Sequence, residues 1–355
     1  MSWQATDRRI MGISLLSEKH SYSKLTMRFS MPAILLLAYL LTVTSVVSGQ
    51  DIRRTEHGFP DFQGYWNNLH QTPLQRPVHL GNKQTYSAEE ALQLVELEQQ
   101  AMEERVSPLD PDRAPPEVGS RITNQADDDF DEFPIGIARV NGEYRTSLVI
   151  DPPDGRIPLK EESERDDFFT MLVASGRYLD GPEFGWAAER CLIAGPQLSM
   201  MFQRGLSPYA QIVQTEDYLM ILGEYPYDAR IIRINGSHPE FTYPKWMGDS
   251  IAHWEDDTLV IHTNKFRDEH SYPPILSSES FEVEERLSLT PAGEILYRYT
   301  VTDPALYTQP FTAEIPFTRM EAGRVLYEYA CHEGNYSWEG SLRGARVQER
   351  LAAEN

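Results

Sequence analysis

FEVEERLSLTPAGEILYRYTVTD, residues 281–303, decides the fold. Apolar residues recur at every second position on both sides of the Ala292-Gly293 step, which is the period of a half-buried strand. So short a link makes the two strands antiparallel. Phe281, Val283, Leu287 and Leu289 share one face of the first strand, and Glu285 shares it with them. An acid on an apolar face must be paired or put to use.

The same period extends outward in both directions. It runs from about residue 210 through AQIVQT, DYLMILGEY, ARIIRING and DSIAHWEDDTLVIHTNKF, and beyond the opening stretch through QPFTAEIPFTRM and VLYEYACHE. Glu-Asp, Asn-Gly, Asp-Asp and Ala-Gly turns separate the segments. A meander of this length must hide its edges, and closing on itself is the usual solution. The expected fold is mainly β, an antiparallel meander closing into a lipocalin-like barrel or half-barrel, with two short peripheral helices. No repeat of fixed period points to a propeller or solenoid.

Upstream, residues 58–70 (GFPDFQGYWNNLH) read as a first strand, broken by Pro73 and Pro77. Ser87 and Glu90 form a capping box for a helix with Ala91, Leu94, Val95 and Met102 on one face. Residues 107–134 read as a solvated acidic loop, since EF-hand spacing is missing around Asp127, Asp128, Asp129 and Asp131. Asp154-Gly155 predicts a hairpin turn between 147–150 and 156–159, and Ser163 with Asp166 predicts the start of a second helix through Phe168 and Leu172.

The 355 residues carry 54 acidic against 32 basic side chains, a formal charge of −22, which opposes the phosphate neutralisation on which nucleic-acid binding depends. From Met27 a basic start, an apolar run over 32–47 and the small residues Ser48 and Gly49 have the layout of a secretory signal. The expected organisation is an N-terminal extension and signal over 1–49, then one β-barrel domain over 50–355 with a helical and acidic-loop insertion at about 86–134. Periplasmic or secreted localisation follows, without stable membrane insertion after cleavage; an uncleaved N-terminal anchor is the alternative. In an oxidising compartment the two cysteines, Cys191 and Cys331, predict one disulfide closing a loop of roughly 140 residues.

Strand alternation places Cys331 and Glu333 on a tyrosine-lined face with Tyr327 and Tyr329, and His332 on the reverse, so a Cys331–His332 nucleophilic pair is excluded. His253, His262, His270 and His332 match no metal-ligand spacing, and no metal or cofactor is expected. No GxSxG, HExxH, Walker or GxGxxG motif occurs. Asp249 and His253 suggest an acid–base pair, against which stands Asp249 as a loop cap. Arg230 is the expected countercharge for Glu285, either as a buried structural pair or as an anchor for a polar substrate group.

The run over 209–346, with QIVQTEDY, DARIIRING, WMGDSIAHWEDDTLVIHTNKF, QPFTAEIP, YEYACHEGNY and LRGAR, resembles a family of exported, largely uncharacterised bacterial proteins. PDFQGYWN and SLVIDPPDGRIPL resemble the same family. The resemblance implies export and this organisation, and carries no reaction with it. It also implies that His253 and His262 are not essential ligands, because relatives often carry an Arg and an acid there.

The function expected first is an exported barrel binding a small amphipathic or aromatic compound, walled by Tyr225, Trp254, Tyr297, Tyr299, Tyr327 and Tyr329 and anchored by Arg230, Glu285 and Glu333. The alternative is a cofactor-independent hydrolase, lyase or isomerase, with Glu285 or Glu333 as general base and His332 or a tyrosine as acid. A cell-envelope structural or assembly protein is the third.

Overall fold

A computed structural model describes residues 52–105, 136–161, 168–187, 189–192, 198, 200–201, 209–225, 228–240, 243–267 and 274–354. The chain divides into Met1–Ser48 and Gly49–Asn355, and every described residue belongs to the second unit. The expected secretory signal, the acidic loop, the Ser163–Asp166 helix start and His270 lie outside the described residues.

The elements in chain order are β1 (Gly64–Asn67), β2 (Thr85–Tyr86), α1 (Ala88–Arg105), β3 (Arg139–Val140), β4 (Glu143–Arg145), β5 (Val149–Asp151) and α2 (Phe168–Ala174). Then come β6 (Tyr209–Gln214), β7 (Tyr218–Gly223), β8 (Ala229–Ile234), β9 (Asp249–Glu255), β10 (Thr258–Asn264), β11 (Glu282–Leu289), β12 (Ile295–Thr302) and β13 (Phe311–Arg319). Two helices end the chain, α3 (Cys331–Gly334) and α4 (Tyr336–Ala353).

Nine strands close into a barrel in the order β1-β6-β7-β8-β9-β10-β11-β12-β13, with β13 returning to β1. Closure runs through Trp66 opposite Arg319 and Asn67 opposite Thr318. Gly64 has φ +130°, and a Cβ there would lie 2.7 Å from the Arg319 guanidinium, which stacks over Trp66 at 4.2 Å. The glycine thus lets the closing strand and its arginine approach. β5 also pairs with β13, at a bulge between Thr312 and Ala313, and β2-β4-β3 form a small separate sheet.

Alternation fills the barrel interior as the period-two reading requires. Trp66, Leu219, Ile221, Ile232, Leu259, Ile261, Val283, Leu287, Ile295, Tyr297, Tyr299, Phe311 and Ile315 are all buried. The lumen is a packed core, which is the state expected for a small barrel whose side chains reach its axis.

Three expectations change. The β8–β9 pair is parallel, Arg233 facing Ile251 and Ile234 facing Ala252, because Asn235-Gly236 opens a long return over 235–248 and not a hairpin. The Asp154–Gly155 turn does not join two paired strands: β5 pairs with β13, while Leu159 bridges Tyr307. Gly155, at φ +69°, gives room to the buried Arg76, which donates to Thr146 Oγ1 at 2.9 Å and to the Pro153 carbonyl at 2.6 Å. Finally, residues 325–330 of VLYEYACHE form no strand and join no sheet, and Tyr327 is 72% exposed. β13 is already paired with β12 along one side and with β1 and β5 along the other, so no edge is left for this segment.

Two helices were legible in the sequence and α3 and α4 were not. The capping box holds as read: Ser87 N–H donates to Glu90 Oε2 at 2.8 Å and Glu90 N–H to Ser87 Oγ at 3.1 Å. Among the described residues no helix is long and apolar enough to cross a membrane.

Candidate functional site

The expected site residues separate into three places. The first is the lumen, where β8 and β11 carry Arg230 and Glu285 to each other across the barrel. Arg230 donates to Glu285 through Nη1 at 2.5 Å and Nη2 at 2.8 Å, and the Tyr297 hydroxyl donates to Glu285 Oε1 at 2.7 Å. Burial works to lower the Arg230 pKa, but the Glu285 charge and hydrogen bonds more than offset it, and the guanidinium is held above its ordinary value. Burial, with Glu285 beside it, pushes Tyr297 well up, and burial pushes Tyr299 up. Both Glu285 oxygens are therefore occupied, and every group here is fully buried.

The second place is the outer part of β9, where Trp254 stacks with Phe59 at 4.6 Å and with Phe62 at 5.9 Å. These contacts fix the N-terminal segment to the barrel, together with Phe62 N–H donating to Gln214 Oε1 at 2.9 Å.

The third place is a cleft of about 350 Å³ at the β7–β8 turn. It is lined by Tyr225 and Asp228 from the turn, by Cys191 and Leu192, and by residues 328–333 of the C-terminal arm. A disulfide joins Cys191 to Cys331 with a Cα separation of 5.6 Å. Two further contacts seat the arm: Tyr327 N–H donates to Glu224 Oε2 at 3.0 Å, and Asn335 Nδ2 donates to the Glu189 carbonyl at 2.6 Å. The rings of Tyr225 and Tyr329 meet edge to face, 4.8 Å apart at 77°.

Here the expected split of Cys331 and Glu333 from His332 is corrected. Residues 331–334 form a helical turn and not a strand, so Cys331, His332 and Glu333 all line the cleft. Of the expected residues, Tyr225, Tyr329, His332 and Glu333 meet here, and Tyr327 lies beside them, facing solvent.

Asp228 was missed by sequence reasoning. It sits one residue ahead of β8, its Oδ2 is buried without a hydrogen-bond partner, and burial pushes its carboxyl up to about 6. The signal available was YPYDAR, an acid directly after two tyrosines and two positions before the inward Arg230.

A further polar cluster surrounds Asp249 at the start of β9. Its carboxylate accepts from Arg233 at 2.7 Å, Lys245 at 2.9 Å and His238 Nδ1 at 2.8 Å. His238 Nε2 in turn meets His262 Nδ1 at 2.8 Å. Burial works to raise the Asp249 pKa, and these hydrogen bonds overcome it, holding the carboxyl well below the usual range. The expected Asp249–His253 pair does not form; His253 contacts Glu255 at 3.2 Å instead. Nor does Asp249 act as a loop cap, since side chains fill its acceptor positions. Among the described residues no group of three or more His, Cys, Asp or Glu is placed to hold a metal ion.

No protein-family profile matches the chain, and no curated protein matches it.

Proposed function

We propose that the chain is an exported small-molecule-binding β-barrel protein whose ligand, an amphipathic or aromatic compound, sits in the cleft between the β7–β8 turn and the C-terminal arm. One observation carries this reading: a cleft of about 350 Å³ in which Tyr225 and Tyr329 stand beside Asp228, a carboxylate with a buried, unpartnered oxygen. An apolar wall with a few convergent polar groups is the usual make-up of a ligand site. In the lumen Arg230, Glu285 and Tyr297 are bonded to one another and buried together with Tyr299. The Cys191–Cys331 bridge supports the exported reading, as such bonds persist in oxidising compartments.

Native mass spectrometry of the protein purified from a periplasmic extract, set against the denatured mass of the same sample, tests it. A mass lost on denaturation is expected from wild type and not from a Tyr225→Ala/Tyr329→Ala variant. A clean apo mass from both would remove the reading's support.

A second reading rests on the raised Asp228 carboxyl, at about 6 close to the range in which a general base works best. Asp228 or Glu333 would then take a proton from a bound substrate, with His332 or Tyr329 returning it. Turnover of a substrate recovered from the cleft, with a rate falling below pH 6 in wild type and lost in Asp228→Asn, separates catalysis from binding alone.

A further inference from the structure

The lining of the cleft bears on the charge of what it holds. Taking the cleft as the binding site proposed above, on which this step rests, we infer that its ligand is an organic cation, an amine or quaternary ammonium on a small aromatic or aliphatic body. Among the described residues, three carboxylates, Asp228, Glu328 and Glu333, line the cleft together with one basic side chain, His332, and neither Lys nor Arg is found there.

Asp228 Oδ2 is shut away from water with no hydrogen-bond partner, a condition that costs free energy until a donor or a positive charge arrives. Among the described residues the buried acids Glu285, Asp249 and Glu314 are answered, Glu285 by Arg230 and Tyr297, Asp249 by Arg233, Lys245 and His238, and Glu314 by Arg145 and Arg298. Half-buried Asp228 differs from them in having an unanswered oxygen, and it lines the cleft.

The two tyrosines supply the second half of the recognition. Rings set at 77° make a corner, and an ammonium in such a corner meets the negative face of a ring while its charge faces the carboxylates. A bare metal ion is a poorer occupant, since aromatic carbons replace oxygen ligands and no metal-binding group of three is present among the described residues. An anion would meet three like charges, which is rejection built into the lining.

Isothermal titration of the full chain near neutral pH with three probes sharing one ring tests the inference: phenethyltrimethylammonium, 2-phenylethanol and phenylacetate. The cation is expected to bind about tenfold or more tightly than the alcohol, with no detectable binding of phenylacetate. Asp228→Asn is expected to lose about tenfold in affinity for the cation and markedly less for the alcohol, whose single hydroxyl loses no charge interaction, and Glu333→Gln provides the same comparison should Asp228→Asn fold poorly. Equal affinity for cation and alcohol, or a cation affinity indifferent to both variants, overturns the cationic ligand and leaves the cleft reading standing. Failure of all three probes to bind at millimolar concentration overturns both.

Discussion

Glu285 shows how a single charge is tolerated in the centre of a barrel. Its oxygens are filled by Arg230 and Tyr297, so the desolvation of two ions is offset by near-ideal geometry. Glu285→Leu leaves Arg230 buried without its counter-ion and is expected to cost about 3–5 kcal/mol in urea unfolding. Adding Arg230→Met in the same chain is expected to restore most of that; a double variant as weak as the single would mean that packing, not charge, sets the loss. His70 is the opposite case, a buried imidazole with neither ring nitrogen bonded outside its own residue, pushed down to about 4 by burial. Its folded pKa lies below the unfolded value of 6.5, so the unfolded chain binds the extra proton between pH 6.5 and 4 and stability falls as pH drops through that window. The fall attributable to this one group is roughly 3 kcal/mol, complete below pH 4. His70→Phe should flatten the pH dependence of unfolding by that amount over the window, and an unchanged slope would show that other groups produce it. At this scale the sequence made Arg230 and Glu285 legible as partners, because alternation put the acid on an apolar face. Asp228 escaped because it precedes the strand, where alternation no longer reports on direction.

Elements were legible wherever a local signal and the global packing agreed. The Ser87–Glu90 box is such a case: both reciprocal hydrogen bonds form, and α1 begins at the next residue. Ser87→Ala should cost about 1 kcal/mol and speed amide exchange in the first turn of α1 only, since no barrel strand depends on it. Exchange that rises through β6–β13 as well would mean that α1 helps hold the barrel. Two elements were misread for a shared reason, that strand pairing is a property of edges and the chain's period does not reveal how many edges remain. VLYEYACHE alternates as well as any barrel strand, yet β13 is already flanked by β12 and β1. Asn235-Gly236 looks like a hairpin turn, and Asn235 does take φ +56°, but its amide donates to Ala252 at 2.6 Å across a parallel pair. The helical turn at 331–334 followed from the first error, and with it the position of His332.

At the scale of the whole molecule, closure and the disulfide act on the same stretch of chain. Cys191 and Cys331 are 140 residues apart, and β6 through β13 all lie between them. The bond therefore encloses eight of the nine barrel strands, and only β1, which seals the barrel between β6 and β13, comes from outside the loop. A cross-link of that span restricts the unfolded chain far more than it restricts the folded one, so its effect should be global even though its atoms sit beside a surface cleft. Replacing both cysteines with serine is expected to lower the unfolding free energy by about 3–5 kcal/mol. The loss should appear as a shifted midpoint of one cooperative transition with an unchanged denaturant slope. The same variant should lose cleft binding at concentrations where the barrel is still folded, because the arm bearing Tyr329 and Glu333 is then held only by contacts such as Tyr327 to Glu224 and Asn335 to Glu189. If the barrel midpoint stays fixed while an early transition releases the arm, the bond is a local tether and the closed barrel owes its stability to the β1–β13 seam and its core.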